Sequence, residues 1–93
     1  MGELDGTWNV YRTGGLLPPL WGVRKVIAGS SGSTRGGPLL GLPFDIVGLE
    51  LRYRGPFGAF VDVLTPTDNG YDGSATFRGR EFATFRLTRS SHL

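Results

Sequence analysis

The sequence predicts an all-β domain, an eight-stranded antiparallel up-and-down (meander) β-barrel with little or no helix. The first observation is composition, since 16 Gly and 6 Pro among 93 residues, with 39% hydrophobic residues, are typical of a compact chain with frequent turns. The second is that apolar and polar residues alternate in runs that recur about every 11 residues, as in sandwiches and barrels. The third is that no stretch of about ten residues has helical spacing of apolar positions without an interrupting Gly or Pro. Because a chain of this length builds one core, we expect a single domain over residues 1–93.

Runs bounded by Gly, Pro, Asn or Asp are the predicted strands. The first begins after Gly6, and the second carries the adjacent charges Arg24 and Lys25, which must point to opposite faces of a strand. The third and fourth are short and flank the stretch GGPLLGLP. The predicted ranges are 7–13, 21–29, 32–36, 43–47, 49–54, 59–65, 71–78 and 81–89.

The fifth and seventh strands show clearly which face is apolar. In the fifth, positions 49, 51 and 53 are apolar and alternate with charged residues, and in the seventh the apolar face comprises positions 71, 73, 75 and 77. The sixth differs, because Asp62 lies on the same face as Phe60 and Leu64. The eighth strand has two possible orientations. Either Ala83, Phe85 and Leu87 point inward, or Phe82 and Thr84 do.

The loops are unevenly distributed between the two ends of the predicted barrel. In a meander, the loops after the first, third and fifth strands lie at one end, and these read GGLLPPLW, GGPLLGLP and GPFG. Loops normally run over the surface and are polar, so three apolar loops at one end need an explanation. They either plug the barrel, surround an opening for an apolar ligand at 14–22, 36–43 and 55–59, or form a protein-contact patch.

Gly6 and Trp8 open the first strand, and the last strand contains FRLTR. This combination resembles the Gly-x-Trp signature of lipocalins and the wider calycin group, in which an Arg of the closing strand packs on the Trp. The resemblance implies a barrel closed by Gly6, Trp8 and either Arg89 or Arg86, and we favour Arg89 because its face of the strand is more apolar. It further implies a short bacterial, cytoplasmic member of the lipocalin and fatty-acid-binding-protein type.

Several kinds of chemistry are disfavoured by composition. There is no Cys, so disulfides and thiolate metal sites are excluded, and the single His, His92, makes a histidine-based metal site or triad improbable. No Gly-rich phosphate loop precedes a helix, and the basic residues are scattered rather than gathered in a stripe. Neither a basic-apolar leader nor a long apolar span is visible. We therefore expect no metal, no cofactor, no nucleic-acid partner and no membrane partner.

The candidate site lies at the end with the apolar loops. Arg12 is in phase with the inward Trp8, and it is either a pocket residue that needs a partner or a strand-end arginine that reaches solvent. Asp62, embedded among apolar neighbours, is the candidate partner, and it is either a paired structural acid or a ligand anchor or general base. A mostly apolar lining with a few polar groups is typical of a small-molecule pocket. The predicted ligand-binding residues are Arg12, Trp21, Phe44, Tyr53, Phe57, Phe60, Asp62 and Phe77.

Three functions fit these residues. The favoured one is non-catalytic binding of a small apolar or aromatic ligand inside the barrel. The second is a calycin-type enzyme, resembling cyclases or decarboxylases, in which Asp62 acts as acid or base, Arg12 orients an anionic group and Tyr53 donates a hydrogen bond. The third is a plugged barrel that self-associates as a homodimer through its loop rim.

Overall fold

The computed structural model describes residues 3–16, 22–36 and 39–90. Eight strands form one closed antiparallel barrel in which each strand pairs with its neighbours in chain order and β1 pairs with β8. A 3₁₀ turn, Gly55–Phe57, lies in the connection between β5 and β6. The strands are β1 (Gly6–Gly15), β2 (Arg24–Ala28), β3 (Ser31–Gly36), β4 (Leu39–Val47), β5 (Glu50–Tyr53), β6 (Phe60–Pro66), β7 (Gly70–Phe77) and β8 (Arg80–Arg89).

The predicted fold class and strand order are confirmed, and the main corrections concern the predicted loops 14–22 and 36–43. Gly14 and Gly15 belong to β1, because pairing with β8 continues beyond a register shift to the pair Gly15 and Ala83. Likewise β4 begins at Leu39, because its ladder with β3 continues as far as Gly36. The predicted apolar loops are thus partly strand, because each of these two ladders continues past a bulge that shifts its register.

We call the end of the barrel where β1, β3, β5 and β7 finish the upper end, and the opposite end the lower end. The lower half of the interior is filled with close-packed side chains, several of which are fully buried. The buried apolar residues of the lower half are Leu4, Trp8, Ile27, Phe44, Leu51, Leu64, Tyr71 and Leu87.

No helix within the described ranges is long and apolar enough to cross a bilayer.

The lower end is closed by Trp8 and Arg89. The Arg89 guanidinium lies 4.3 Å from the centroid of the Trp8 ring and donates to the carbonyl oxygens of Asp5 (2.7 Å) and Glu3 (3.2 Å). The Trp8 indole donates to the carbonyl of Leu4 at 2.8 Å. Arg89, rather than Arg86, is therefore the cation that lies over Trp8.

Gly6 is required beside this closure. Its φ of +124° lies in a region that residues with side chains rarely adopt, and a Cβ there would lie 2.9 Å from Arg89 Nη1. The glycine in the sequence signature therefore makes room for the arginine as well as allowing the backbone turn.

Candidate functional site: a cavity over a buried polar cluster

The upper half of the barrel contains a cavity of about 310 Å³. This volume lies at the lower limit for small-molecule sites, which run from about 300 to 1,000 Å³. Most of the wall is aliphatic and aromatic, and the polar part of the wall comes from one group of side chains on four strands. The apolar lining residues are Val10, Val23, Leu42, Phe57, Phe60, Ala75, Phe82 and Phe85.

The polar part of the wall is a connected cluster of Lys25, Thr34, Tyr53 and Asp62, which we call the polar cluster. Lys25 Nζ donates to Thr34 Oγ1 and to Tyr53 Oη, both at 2.7 Å, and lies 3.2 Å from Asp62 Oδ2. Tyr53 Oη donates to the same Asp62 oxygen at 2.9 Å. Since the phenol proton is used there, the 3.0 Å contact between Thr34 and Tyr53 has the threonine as donor.

The ion pair in this cluster is buried, with side-chain exposures of 4% for Lys25 and 9% for Asp62. The ammonium also lies 5.4 Å from the ring centroids of Phe44 and Tyr53 and 5.5 Å from that of Phe85. Aromatic faces attract a cation and add to the stabilisation from Asp62. Removing two charges from water is costly. The buried pair is tolerated because each charge has close partners that offset this cost.

Strand alternation and barrel register together position the cluster. Lys25 is in phase with Ile27, both buried, whereas Arg24 and Val26 are exposed. Across the ladder Lys25 is opposite Thr34, which places these two side chains side by side on the inner face. Tyr53 and Asp62 belong to the neighbouring pair β5 and β6, on the far side of β4. The ion pair therefore forms across the barrel interior.

The surroundings keep both titratable donors of the cluster protonated. Burial acts to lower the pKa of Lys25, but the nearby Tyr53 and Asp62, through charge and hydrogen bonds, outweigh it and raise that pKa above its usual value. Burial raises the pKa of Tyr53, and Lys25 opposes this effect only in part. The lysine is thus a structural ammonium rather than a free amine nucleophile.

We expect the stability of the protein to fall above about pH 10, because both groups have folded pKa values raised above their unfolded ones. The two groups contribute fully to the free energy of unfolding at pH values below the ordinary pKa values of 10.0 for tyrosine and 10.5 for lysine. This contribution is lost as the pH rises through their pKa values in the folded protein. The measurement is urea unfolding as a function of pH, together with NMR of the protein labelled with ¹³C at lysine Cε. Lys25 is the only lysine, so it gives the single lysine Cε signal. A native Lys25 signal that titrates below its value in urea-unfolded protein would contradict this expectation.

Among the predicted ligand-binding residues, Tyr53, Phe57, Phe60 and Asp62 line the cavity. They come from β5, β6 and the connection between them, so one hairpin supplies all four. Asp62 does have the predicted buried cationic partner, but the partner is not the predicted one.

Arg12 is wrong as the partner of Asp62. It is exposed, and its guanidinium donates to the carbonyl of Gly15 at 3.4 Å. Arg12 is still paired with the inward Phe85, just before the register shift between Arg12 and Gly14, so it lies toward the upper end of β1 and its side chain reaches solvent there. The calycin-type catalytic set of Asp62, Arg12 and Tyr53 is therefore not assembled.

Phe44 and Phe77 are also placed differently from the prediction. Phe44 is fully buried beneath the polar cluster, and its ring contacts that of Tyr53 edge-on at 5.5 Å, so it supports the site without lining it. Phe77 is 42% exposed at the upper end of β7, where it is paired with Phe60 and packs against it with ring centroids 4.9 Å apart. Trp21 lies outside the described residues.

Lys25 and Thr34 were missed by the sequence reasoning. A usable signal was present for Lys25, since it is in phase with Val23 and Ile27 just as Asp62 is in phase with Phe60 and Leu64. Two opposite charges, each alone on an apolar strand face, predict a buried pair. Thr34 gave no comparable signal, because threonine is common on either face of a strand.

No protein-family model, curated protein or solved structure matches the chain. The structure shows a closed eight-stranded meander with an arginine over a tryptophan at one end. The function must therefore be argued from the cavity itself.

Proposed function

We propose that this protein is a lipocalin-like binder of a small apolar or aromatic ligand, held in the cavity of the upper half of the barrel. The observation that supports it is the combination of a 310 Å³ space with apolar and aromatic walls and a single buried polar cluster. Pockets for small molecules have this composition, in which apolar walls supply affinity and a few fixed polar groups supply orientation.

The division of the interior supports the same proposal. The lower half is packed by the core and closed by Trp8 and Arg89, so an open space in the upper half does not leave the barrel without a packed core. Ala75 on β7 lines the cavity with a small side chain, whereas the room beside Gly73 is occupied by the Phe85 ring. A larger residue at position 75 would fill the space.

The test is binding of two-ring aromatic probes before and after the cavity is filled. We expect at least one of 2-naphthol, 2-methoxynaphthalene, 2-naphthoate and 2-naphthylmethylammonium to shift NMR signals of the lining residues in a saturable way. Ala75→Phe adds a ring to the cavity wall and should weaken that binding by about tenfold or more, a loss of about 1.4 kcal/mol or more. Ala28→Phe makes the same change at an exposed position of β2 and should leave binding unaltered.

Two results would contradict the proposal. One is that none of the four probes shifts the lining residues at its solubility limit. The other is that Ala75→Phe, shown by circular dichroism to be folded, binds as well as Ala28→Phe. Ala75→Leu is a smaller substitution that serves the same purpose if the phenylalanine variant does not fold.

A further inference from the structure

The hydrogen-bond donors of the polar cluster are all engaged within the cluster. The ammonium of Lys25 has three protons, and its three polar contacts are Thr34, Tyr53 and Asp62. The phenol proton of Tyr53 goes to Asp62, and the hydroxyl proton of Thr34 goes to Tyr53. The cluster therefore has no donor to offer to a molecule in the cavity.

One acceptor remains. Both contacts of Asp62 go to Oδ2, and Oδ1 accepts no hydrogen bond from the described residues. Every fully buried side-chain nitrogen or oxygen in the described part of the chain has a partner, so Oδ1 is not sealed from accessible space. Asp62 lines the cavity, and this oxygen is the group that a ligand can reach.

Charge further limits what binds there. Lys25 and Asp62 neutralise each other at 3.2 Å, so the cavity presents no net charge from the polar cluster. A ligand cation would lose its hydration beside the Lys25 ammonium, and a ligand anion would lie beside Asp62 and find no donor in the cluster. Transferring an ion from water without compensating partners is strongly unfavourable.

We infer that the ligand is a neutral aromatic molecule with one hydroxyl or N–H group that donates to Asp62 Oδ1. This inference rests on the proposed function and names its ligand class. The apolar body contacts the aromatic wall formed by Phe57, Phe60, Phe82 and Phe85, and the donor group reaches the carboxylate. Phenol-like and indole-like compounds have this form.

The experiment compares the same four naphthalene probes on the unmodified protein, so no variant has to fold. We expect 2-naphthol to bind about tenfold or more tightly than 2-methoxynaphthalene, since one hydrogen bond to a charged acceptor is worth about that factor. We expect 2-naphthoate and 2-naphthylmethylammonium to bind more weakly than 2-naphthol. The aspartate ¹³Cγ signal of Asp62 should shift with 2-naphthol and not with its methyl ether, while that of the exposed Asp45 stays unchanged.

The outcomes separate this inference from the proposed function. Equal binding of the phenol and its ether, or tightest binding of the anion or the cation, overturns the donor inference while the cavity remains a binding site. Tighter phenol binding without a shift of the Asp62 carboxyl also overturns it, because the donor then lies elsewhere. Failure of all four probes contradicts the proposed function itself.

Discussion

Lys25→Met is expected to lower the free energy of unfolding by about 3 to 5 kcal/mol, the usual cost of leaving one member of a buried ion pair unpaired. Its carboxylate partner, Asp62, is 9% exposed and would retain Tyr53 as its only polar contact in the cluster. The double variant Lys25→Met, Asp62→Leu should recover most of the loss, because both charges are then gone and Thr34 still bonds to Tyr53. Urea unfolding of the two single variants and the double variant measures this coupling.

The matched control is the exposed pair of Arg86 and Asp72, which lies on the outer surface with a contact of 3.0 Å and side chains 55% and 51% exposed. Arg86→Met should cost less than about 1 kcal/mol, because water screens such a pair. A Lys25→Met variant no less stable than Arg86→Met would mean that the polar cluster is not a coupled unit. The donor inference would then lose its structural basis.

Trp8→Ala is expected to cost about 3 to 5 kcal/mol, the range for removing a large buried aromatic side chain. Trp8 is 2% exposed, contacts Tyr71 edge-on at 5.4 Å and lies beneath Arg89, so its loss opens the lower end of the barrel. Domains of this size have only about 5 to 15 kcal/mol of stability, so the variant should unfold at clearly lower urea concentration. Far-ultraviolet circular dichroism is the readout, because it does not depend on the removed fluorophore.

Tyr11→Ala provides the comparison within the same strand. Tyr11 is 51% exposed on the outer face of β1, and its removal should have a small effect, since most surface substitutions change stability by about 0.5 kcal/mol or less. If Trp8→Ala and Tyr11→Ala were equally stable, the lower end would not be the stabilising half of the barrel. The division into a packed half and a binding half would then be wrong.

The resemblance to lipocalins was informative about the lower end and less so about the site. Gly6, Trp8 and Arg89 were predicted as neighbours from two short motifs, because a meander brings the start of its first strand beside the end of its last. The resemblance offered no equivalent guide to the cation beside Asp62. Arg12, predicted to point inward because it is in phase with Trp8, is exposed toward the upper end of β1.

The sequence by itself determined the fold class, the strand order and the inner faces of most strands, because alternation with period two and Gly- or Pro-bounded turns are local properties of the chain. It also indicated that Asp62 lies alone on an apolar strand face, and it contained the same signal for Lys25, which was missed. Only the tertiary structure decided that these two residues meet, since their contact depends on barrel closure and on the register of every intervening strand. The exposure of Arg12 and Phe77 was likewise decided by the tertiary structure, because alternation gives the face on which a residue lies and not whether the upper end of the barrel covers it.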